Sequence, residues 1–312
     1  MRAVRVPLAS LSASALALAL PATGSVALAH TGNPPTPDTL WTSWSWEPTV
    51  LLGLGVAAWA YARGVRALWR RAGRGRGVHT WQVMAFSGGL VSLFVALVSP
   101  LDALSSALFS AHMVQHLLLV VVAAPLLALG APLSPFLWAL PGPSRRTIGA
   151  WWRHARAGRA VWRGLSQPLV VWTVHAVTLW VWHLPQLFEL TLRSEPVHVL
   201  EHASFLATAL LFWWTLTPVG SHGRLGYGFG VLYSTAMGVQ GSVLGALITF
   251  AGRPWYPSYV PTAAGWGLSP LSDQQLAGLI MWIPAGLIYL GAGAALFLAW
   301  LRAEEHVLQP QL

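Results

Sequence analysis

Long apolar runs separated by short arginine-rich segments are the feature that most restricts what this chain can fold into. A helix of about 20 apolar residues crosses the roughly 30 Å hydrocarbon layer of a bilayer. Seven such runs can be distinguished, and they cover approximately residues 48–69, 79–99, 111–131, 167–186, 198–218, 227–251 and 274–301. The sequence therefore predicts an all-α, polytopic membrane protein folded as a seven-helix transmembrane bundle.

The composition excludes most soluble folds. Charged residues make up 9% of the 312 residues, whereas a soluble globular domain carries about 25%. The chain contains no cysteine, so disulfides, thiolate metal sites and thiol catalysis are excluded, and metal ligands must be His, Met, Asp or Glu. The net charge is +9, but the arginines lie between apolar runs rather than along one soluble face. We therefore expect a lipid bilayer as partner and no nucleic acid.

The arginine distribution predicts the orientation of the bundle, because positive residues collect on the cytoplasmic side of a membrane. The predicted inner loops hold the arginines of residues 63–76 and 145–163 together with Arg224. The predicted outer loops hold only Arg193 and Arg253. This pattern predicts an N-out, C-in protein in the cytoplasmic membrane of a bacterial-type cell.

Both ends of the chain are predicted to lie outside the bundle. Residues 1–29 combine two arginines, an apolar stretch and an Ala-x-Ala site, which is typical of a secretory signal peptide; the alternative is an uncleaved helix. Residues 30–47 would form a short extracytoplasmic segment, 48–301 the membrane domain and 302–312 a cytoplasmic tail. Cleavage of the signal would leave His30 at the N-terminus, where its amine and ring could chelate copper.

Histidines form the most informative polar pattern. His112 and His116 lie four residues apart in HMVQH, at the start of the third run, and His198 and His202 repeat that spacing in HVLEH, at the start of the fifth. Side chains four residues apart project from one face of a helix. Because the two pairs lie at the same predicted membrane depth, they could together hold one metal ion.

Two further side chains could complete this site. His183 lies near the outer end of the fourth run, and Met113 offers a thioether beside His112. Imidazole and thioether ligands suit copper, particularly the reduced ion. The sequence thus predicts a copper site drawn from His112, Met113, His116, His183, His198 and His202. Alternatively, these rings hydrogen-bond between helices or line a polar vestibule.

Acids and amides near the same depth could support the ligands. They are Asp102, Gln115, Glu201, Asp273 and Gln274. Glu201 directly precedes His202, and adjacent residues on a helix point about 100° apart, so we expect Glu201 to support a ligand rather than to bind the metal. Asp102 and Asp273 could equally cap the helices that follow them.

Three longer segments carry a resemblance to a known family. They are SPLDALSSALFSAHMVQHLLLVVVAAPLLALGAP, VWHLPQLFELTLRSEPVHVLEHASFLATALLFWW and LSPLSDQQLAGLIMWIPAG. Together they resemble the CtaG family of cytochrome c oxidase assembly factors, the multi-span type linked to caa-type oxidases, over about residues 48–301. The resemblance implies a non-catalytic role in building a haem-copper oxidase, with oxidase subunits as partners and copper supplied on the outer side. Many relatives have Met where this chain has Leu117.

Two other classes of function stay open. A haem-b electron carrier would use one histidine of each pair as axial ligands. A copper or proton-coupled transporter would use His175 and His183 as steps of an inward path. The sequence has no phosphate-binding glycine loop, nucleophile elbow or zinc-protease signature, so we do not expect an enzyme.

Overall fold

The computed structural model describes residues 34–217 and 225–308, and this part of the chain contains helices and no strand. The helices are α1 (Pro48–Ala72), α2 (Thr80–Leu97), α3 (Pro100–Ser105), α4 (Phe109–Leu117), α5 (Ala124–Leu129), α6 (Leu133–Ala139), α7 (Gly142–His154), α8 (Arg156–Leu165), α9 (Pro168–Trp182), α10 (Pro185–Arg193), α11 (Glu195–Leu216), α12 (Tyr227–Thr249), α13 (Val260–Ala263) and α14 (Pro270–Leu308). A π-helical segment, Leu118–Ala123, joins α4 to α5. The predicted signal peptide, His30 and Arg224 lie outside the described residues.

Five helices within the described ranges are long and apolar enough to cross a membrane. They are Thr80–Leu97, Phe109–Leu129, Glu195–Leu216, Tyr227–Thr249 and Pro270–Glu304. The prediction of an all-helical membrane protein is therefore confirmed. The predicted number of spans, seven, exceeds the five found among the described residues.

The two remaining predicted runs differ from the five for physical reasons. The fourth run, 167–186, does not form one helix, because α9 ends before His183 and α10 begins at Pro185. With 15 residues, α9 is about 22 Å long, which is shorter than the hydrocarbon layer. The first run forms the 25-residue helix α1, whose C-terminal half carries four arginines.

The segment Phe109–Leu129 is the central helix of the protein. Within the structure, 61% of its span is buried, compared with 11% to 44% for the other four spans. It contacts α2, α11 and α14, while α9 packs against α11 and α12, and α1 packs against α2 and α6. Side chains on the first turns of the central helix therefore lie in the interior of the bundle.

The central helix widens into π-helical geometry just after His116. Pro125 has no N–H group, so the usual bond to a carbonyl one turn earlier cannot form. Side chains of neighbouring helices bond to the carbonyls of the widened turn. The Ser92 hydroxyl donates to the Leu118 carbonyl at 3.2 Å, and Trp213 Nε1 donates to the Val120 carbonyl at 2.8 Å. These bonds fix the central helix against α2 and α11 next to its histidines.

A close approach of α12 and α14 closes one side of the bundle. A Cβ atom built at Gly245 would lie 2.9 Å from the Gly278 carbonyl oxygen and 3.0 Å from Cβ of Trp282. Only glycine permits this backbone distance. By contrast, Gly241, one turn earlier in the same G-x-x-x-G pair, faces open space.

Candidate metal centre

The two histidine pairs face each other across the contact between α4 and α11. The ring centroids of His112 and His198 lie 5.5 Å apart, and those of His116 and His202 lie 5.3 Å apart. All four side chains are buried. The structure thus brings together two pairs that are more than 80 residues apart in the sequence. Each pair lies near the start of its span, Phe109–Leu129 or Glu195–Leu216.

Glu201 extends into the same cluster. Its Oε2 atom lies 3.6 Å from Nε2 of His112, and its Oε1 atom lies 3.7 Å from Nε2 of His116. One potential ligand atom from each of four residues lies within 4.8 Å of all the others, and these residues are His112, His198, Glu201 and His202. Below, the metal cluster means these four residues and His116.

The position of Glu201 follows from a helical spacing that the sequence interpretation did not use. Glu201 points about 100° away from its neighbour His202, but it lies three residues after His198, and residues three apart share a helix face. All three side chains therefore fit within one arc of α11 that faces α4. Glu201 thus lies where it could bind an ion directly, and its supporting role stays a prediction.

The carboxylate of Glu201 is buried where hydrogen bonds do little to balance its charge. The side chain is fully buried, and neither carboxylate oxygen has a hydrogen-bond partner among the described residues. A buried carboxylate is costly unless a proton or a cation balances it. The nearby groups that could share such a cation are the imidazoles of the cluster, so the residues present fit a bound metal ion.

A hydrogen-bond chain determines which nitrogen of His112 faces Glu201. Nδ1 of His112 lies 3.1 Å from the Tyr259 hydroxyl, and that hydroxyl donates its own proton to the Ser105 carbonyl at 2.9 Å. Tyr259 must then accept from Nδ1–H, which leaves the lone pair of a neutral ring on Nε2. Metal-binding histidines are oriented by such outer hydrogen bonds in many proteins.

Tyr259 is suited to this role because its hydroxyl keeps its proton. Burial, and after it the carboxylates of Glu201 and Asp273, raise the pKa of Tyr259 well above its ordinary value. Tyr259 was not predicted as a site residue, since it lies in the short 3-10 turn Pro257–Tyr259, 147 residues from His112. Nothing in the local sequence pattern marks it.

His183 lies at the margin of the cluster, at the C-terminal end of α9. Its ring centroid is 6.2 Å from that of His116. Nδ1 of His183 lies 2.6 Å from the Leu179 carbonyl oxygen, which can only accept, so this ring also carries its proton on Nδ1. Its Nε2 atom is buried and has no hydrogen-bond partner in the described chain. His183 is thus available as an additional ligand.

Met113 lies in a different environment from the histidines. Its side chain is buried in an apolar cluster that includes Phe109, Leu244, Ile248 and Tyr256. Although Met113 follows His112 directly, it points toward α12 and the loop after it. In this placement the thioether packs against apolar side chains, and its role as a copper ligand stays a prediction.

Gln115 and Asp102 connect the central helix to α2, to α3 and to the segment that precedes α1. Nε2 of Gln115 donates to the Ala96 carbonyl at 2.8 Å and to Oδ1 of Asp102 at 2.7 Å. Oδ2 of Asp102 accepts a hydrogen bond from Ser45 Oγ at 2.5 Å. Both predicted supporting residues therefore act by holding α4 in place.

Asp273 and Gln274 fix the other side of α4 and the loop above it. The Asp273 carboxylate, on α14, accepts from the backbone N–H groups of Phe109 at 2.7 Å and Ser110 at 3.1 Å. It therefore caps α4 rather than the helix in which it lies. Oε1 of Gln274 accepts from the Trp255 N–H at 2.6 Å and so holds the loop between α12 and α14.

The chain is similar to proteins of a known family. A family model described as cytochrome c oxidase caa3 assembly factor (Caa3_CtaG) matches residues 59–303. Uncharacterised proteins of Mycobacterium bovis and Mycobacterium tuberculosis are each 27% identical over 292 residues, and one of Mycobacterium leprae is 26% identical over 299 residues. Each alignment covers 88% of this chain but 42% of the relative, so the chain spans less than half the length of these proteins. No solved structure matches the chain.

Proposed function

The chain belongs to the family of cytochrome c oxidase caa3 assembly factors, and from this premise we propose that it binds a copper ion at the metal cluster and passes it to a haem-copper oxidase during assembly. The observation that carries the proposal is the fully buried carboxylate of Glu201, which lies among the imidazoles of the metal cluster. In this role copper is a cargo, and the protein itself has no catalytic function.

The ligand chemistry favours copper among the divalent ions of the first transition row. Imidazole and carboxylate groups bind these ions in an order that peaks at Cu²⁺. His112 contributes Nε2, held in that tautomer by Tyr259. Nε2 of His116 lies 2.9 Å from Nε2 of His112, so one proton lies between the two rings when no ion is bound. Binding of an ion would release or relocate that proton.

The proposed topology places the metal cluster at the outer face of a seven-span bundle. The arginine-rich end is at the opposite end of the helices, where Arg63 of α1 donates to the Ala139 carbonyl at 2.8 Å and the Tyr61 hydroxyl donates to the Gly130 carbonyl at 2.7 Å. In this topology α1 and the α9–α10 pair are the remaining two spans. The cluster would then face the side on which copper is inserted into an oxidase of the cytoplasmic membrane.

Neither of the two other classes of function is favoured by the geometry. A bis-His haem needs one imidazole of each pair on opposite faces of a flat macrocycle. The rings that would serve pack directly against each other, with centroids 5.5 Å apart for His112 and His198 and 5.3 Å apart for His116 and His202, and Glu201 occupies the space beside them. A transporter needs a polar path to the far side. Below the cluster, the described residues form an apolar core that includes Leu119, Phe205 and Phe212.

The metal and haem content of the detergent-purified protein tests this proposal directly. The protein is loaded anaerobically with copper, washed, and measured by elemental analysis and absorption spectroscopy. We expect about one copper per chain, no Soret band, and loss of copper in the H112A/H116A double variant. The exposed histidine of α7 supplies the control, since His154→Ala should retain the metal. Equal copper in the double variant, or a Soret band, would overturn the proposal.

A second experiment connects the site to oxidase assembly. Cells that lack the protein are complemented with wild type, with H112A/H116A or with His154→Ala, and the copper content of the purified oxidase is measured. The double variant should reach the membrane at normal levels yet yield an oxidase deficient in copper. Normal oxidase copper in cells that carry only the double variant would exclude a role of the cluster in delivery.

A further inference from the structure

A cavity of about 630 Å³ lies directly beside the metal cluster. His198 and His202 line its inner wall, and the rest of the wall includes residues 43–48, Asp102 and Ala103 of α3, the first turns of α11 and apolar side chains such as Leu97 and Leu119. The exposed side chains of Trp46 and Glu47 also line it. The cavity therefore extends from the protein surface to two of the proposed ligands.

The charge of the cavity is opposite to that of the chain as a whole. Glu47, Asp102 and Glu195 line it, which is three of the nine acidic residues. Among the residues that the structure describes, no arginine lines it. A concave surface that holds one sign of charge next to low-dielectric walls concentrates ions of the opposite sign. This cavity is therefore suited to attract a cation.

The outer wall of the cavity is held in place by specific bonds. The Ser45 N–H donates to the Val98 carbonyl at 3.0 Å, and the Ser45 hydroxyl donates to Asp102 at 2.5 Å. The rings of Trp44 and Trp46 are stacked with their centroids 5.7 Å apart. Asp102 thus has a structural role, whereas Glu47 and Glu195 are the acids that can be changed without removing the Ser45 or Gln115 bonds.

Other directions of approach to the cluster are covered by packed aromatic rings. Phe188 lies 5.0 Å from the His112 ring and Phe205 lies 4.6 Å from the His116 ring, measured between centroids. Tyr259 covers Nδ1 of His112. Both phenylalanines are fully buried.

We propose that this cavity is the route by which a hydrated metal cation enters and leaves the cluster, with Glu47 and Glu195 concentrating the cation at its mouth. The inference rests on the proposed function, because the cation is the one that the cluster binds. It assigns to these two acids an effect on the rate of metal binding and no role as ligands.

The experiment is stopped-flow loading of the purified, metal-free protein with aqueous Cu²⁺ at low ionic strength, followed by tryptophan fluorescence. The E47Q/E195Q double variant should load about tenfold more slowly, within the range known for electrostatic steering, with the same copper per chain at equilibrium. The difference should shrink in high salt, because screening removes steering. Glu304→Gln, at the far end of α14, is the control that should load at the wild-type rate.

A second variant tests the path rather than its charge. Ala103 lines the cavity, and Ala103→Phe would partly fill it. This variant should slow both copper loading and copper removal by a chelator about equally, and so leave the affinity unchanged. Wild-type rates in both variants would overturn the route, as would a loss of bound copper in E47Q/E195Q. A wild-type protein that takes up no copper would instead overturn the proposed function, and this inference with it.

Discussion

Tyr259 accepts a hydrogen bond from Nδ1 of His112 at 3.1 Å and so sets the tautomer of that ring. The bond joins the loop between α12 and α14 to the central helix. It leaves the lone pair on Nε2, which lies 2.9 Å from Nε2 of His116 and 3.6 Å from Oε2 of Glu201. A side chain outside the metal cluster therefore sets the protonation of one of its rings.

Replacing Tyr259 with Phe should weaken copper binding by about 10–100-fold, the usual cost of losing an outer partner of a metal-binding histidine. The ring volume is kept, so the number of bound ions at saturation should not change. Competition titration with a copper chelator measures the affinity. Tyr256→Phe is the matched control, because that hydroxyl donates to the backbone carbonyl of His183 rather than to a ring nitrogen. Equal weakening in both variants would contradict the tautomer argument.

Replacing Glu201 with Gln should change copper affinity and apoprotein stability in opposite directions. The neutral amide removes a ligand, so affinity should fall by more than about 100-fold, beyond the cost of an outer partner alone. It also removes a buried charge that has no hydrogen bond, so the metal-free protein should be at least as stable as wild type. Chelator competition and thermal unfolding in detergent measure the two effects.

Glu189→Gln is the control for Glu201→Gln, because it removes another acid that lies outside the metal cluster. The Glu189 carboxylate accepts from the N–H and hydroxyl of Ser258, so its loss should lower stability and leave copper affinity nearly unchanged. If Glu201→Gln destabilises the metal-free protein and binds copper as wild type does, Glu201 is a structural residue and not a ligand.

Replacing Asp273 with Asn should destabilise the protein by about 2–3 kcal/mol, because hydrogen bonds to a charged group each contribute about 1.5–3 kcal/mol and an amide keeps only part of them. The carboxylate caps α4 at Phe109 and Ser110. Ser110→Ala removes only the hydroxyl bond to Asp273 and should cost about 1.5 kcal/mol, the lower end of that range, because both backbone N–H bonds to the carboxylate stay. Thermal unfolding of both variants gives the comparison, and an Asp273→Asn protein as stable as wild type would exclude the cap.

The part of the site that could be predicted from the sequence is the part that depends on local spacing. His112 and His116, like His198 and His202, share a helix face because they are four residues apart. Glu201 could have been included by the same rule, applied from His198 instead of from its neighbour His202. These positions require only that each segment is helical, which its apolar pattern already indicates.

The remaining part of the site depends on contacts between distant segments, which no local pattern encodes. The Tyr259–His112 bond spans 147 residues, and the Asp273 cap on Phe109 spans 164. The break between α9 and α10 is of another kind: Pro185 marks it in the sequence, but hydropathy alone merges both helices into one run. Fold class follows from composition, while the support of the site follows from tertiary packing.

The G-x-x-x-G pair of α12, Gly241 and Gly245, predicts that one of its positions is essential for packing and the other is not. A Cβ atom at Gly245 would lie 2.9 Å from the Gly278 carbonyl oxygen and 3.0 Å from the backbone nitrogen of Trp282, so Gly245→Ala should cost about 1–3 kcal/mol. Gly241 has open space around it, so Gly241→Ala should be neutral or stabilise the helix by up to about 1 kcal/mol. Thermal unfolding of the two variants in the same detergent measures the difference. If both variants unfold at the same temperature, the close approach of the α12 and α14 backbones does not require glycine, and the prediction is contradicted.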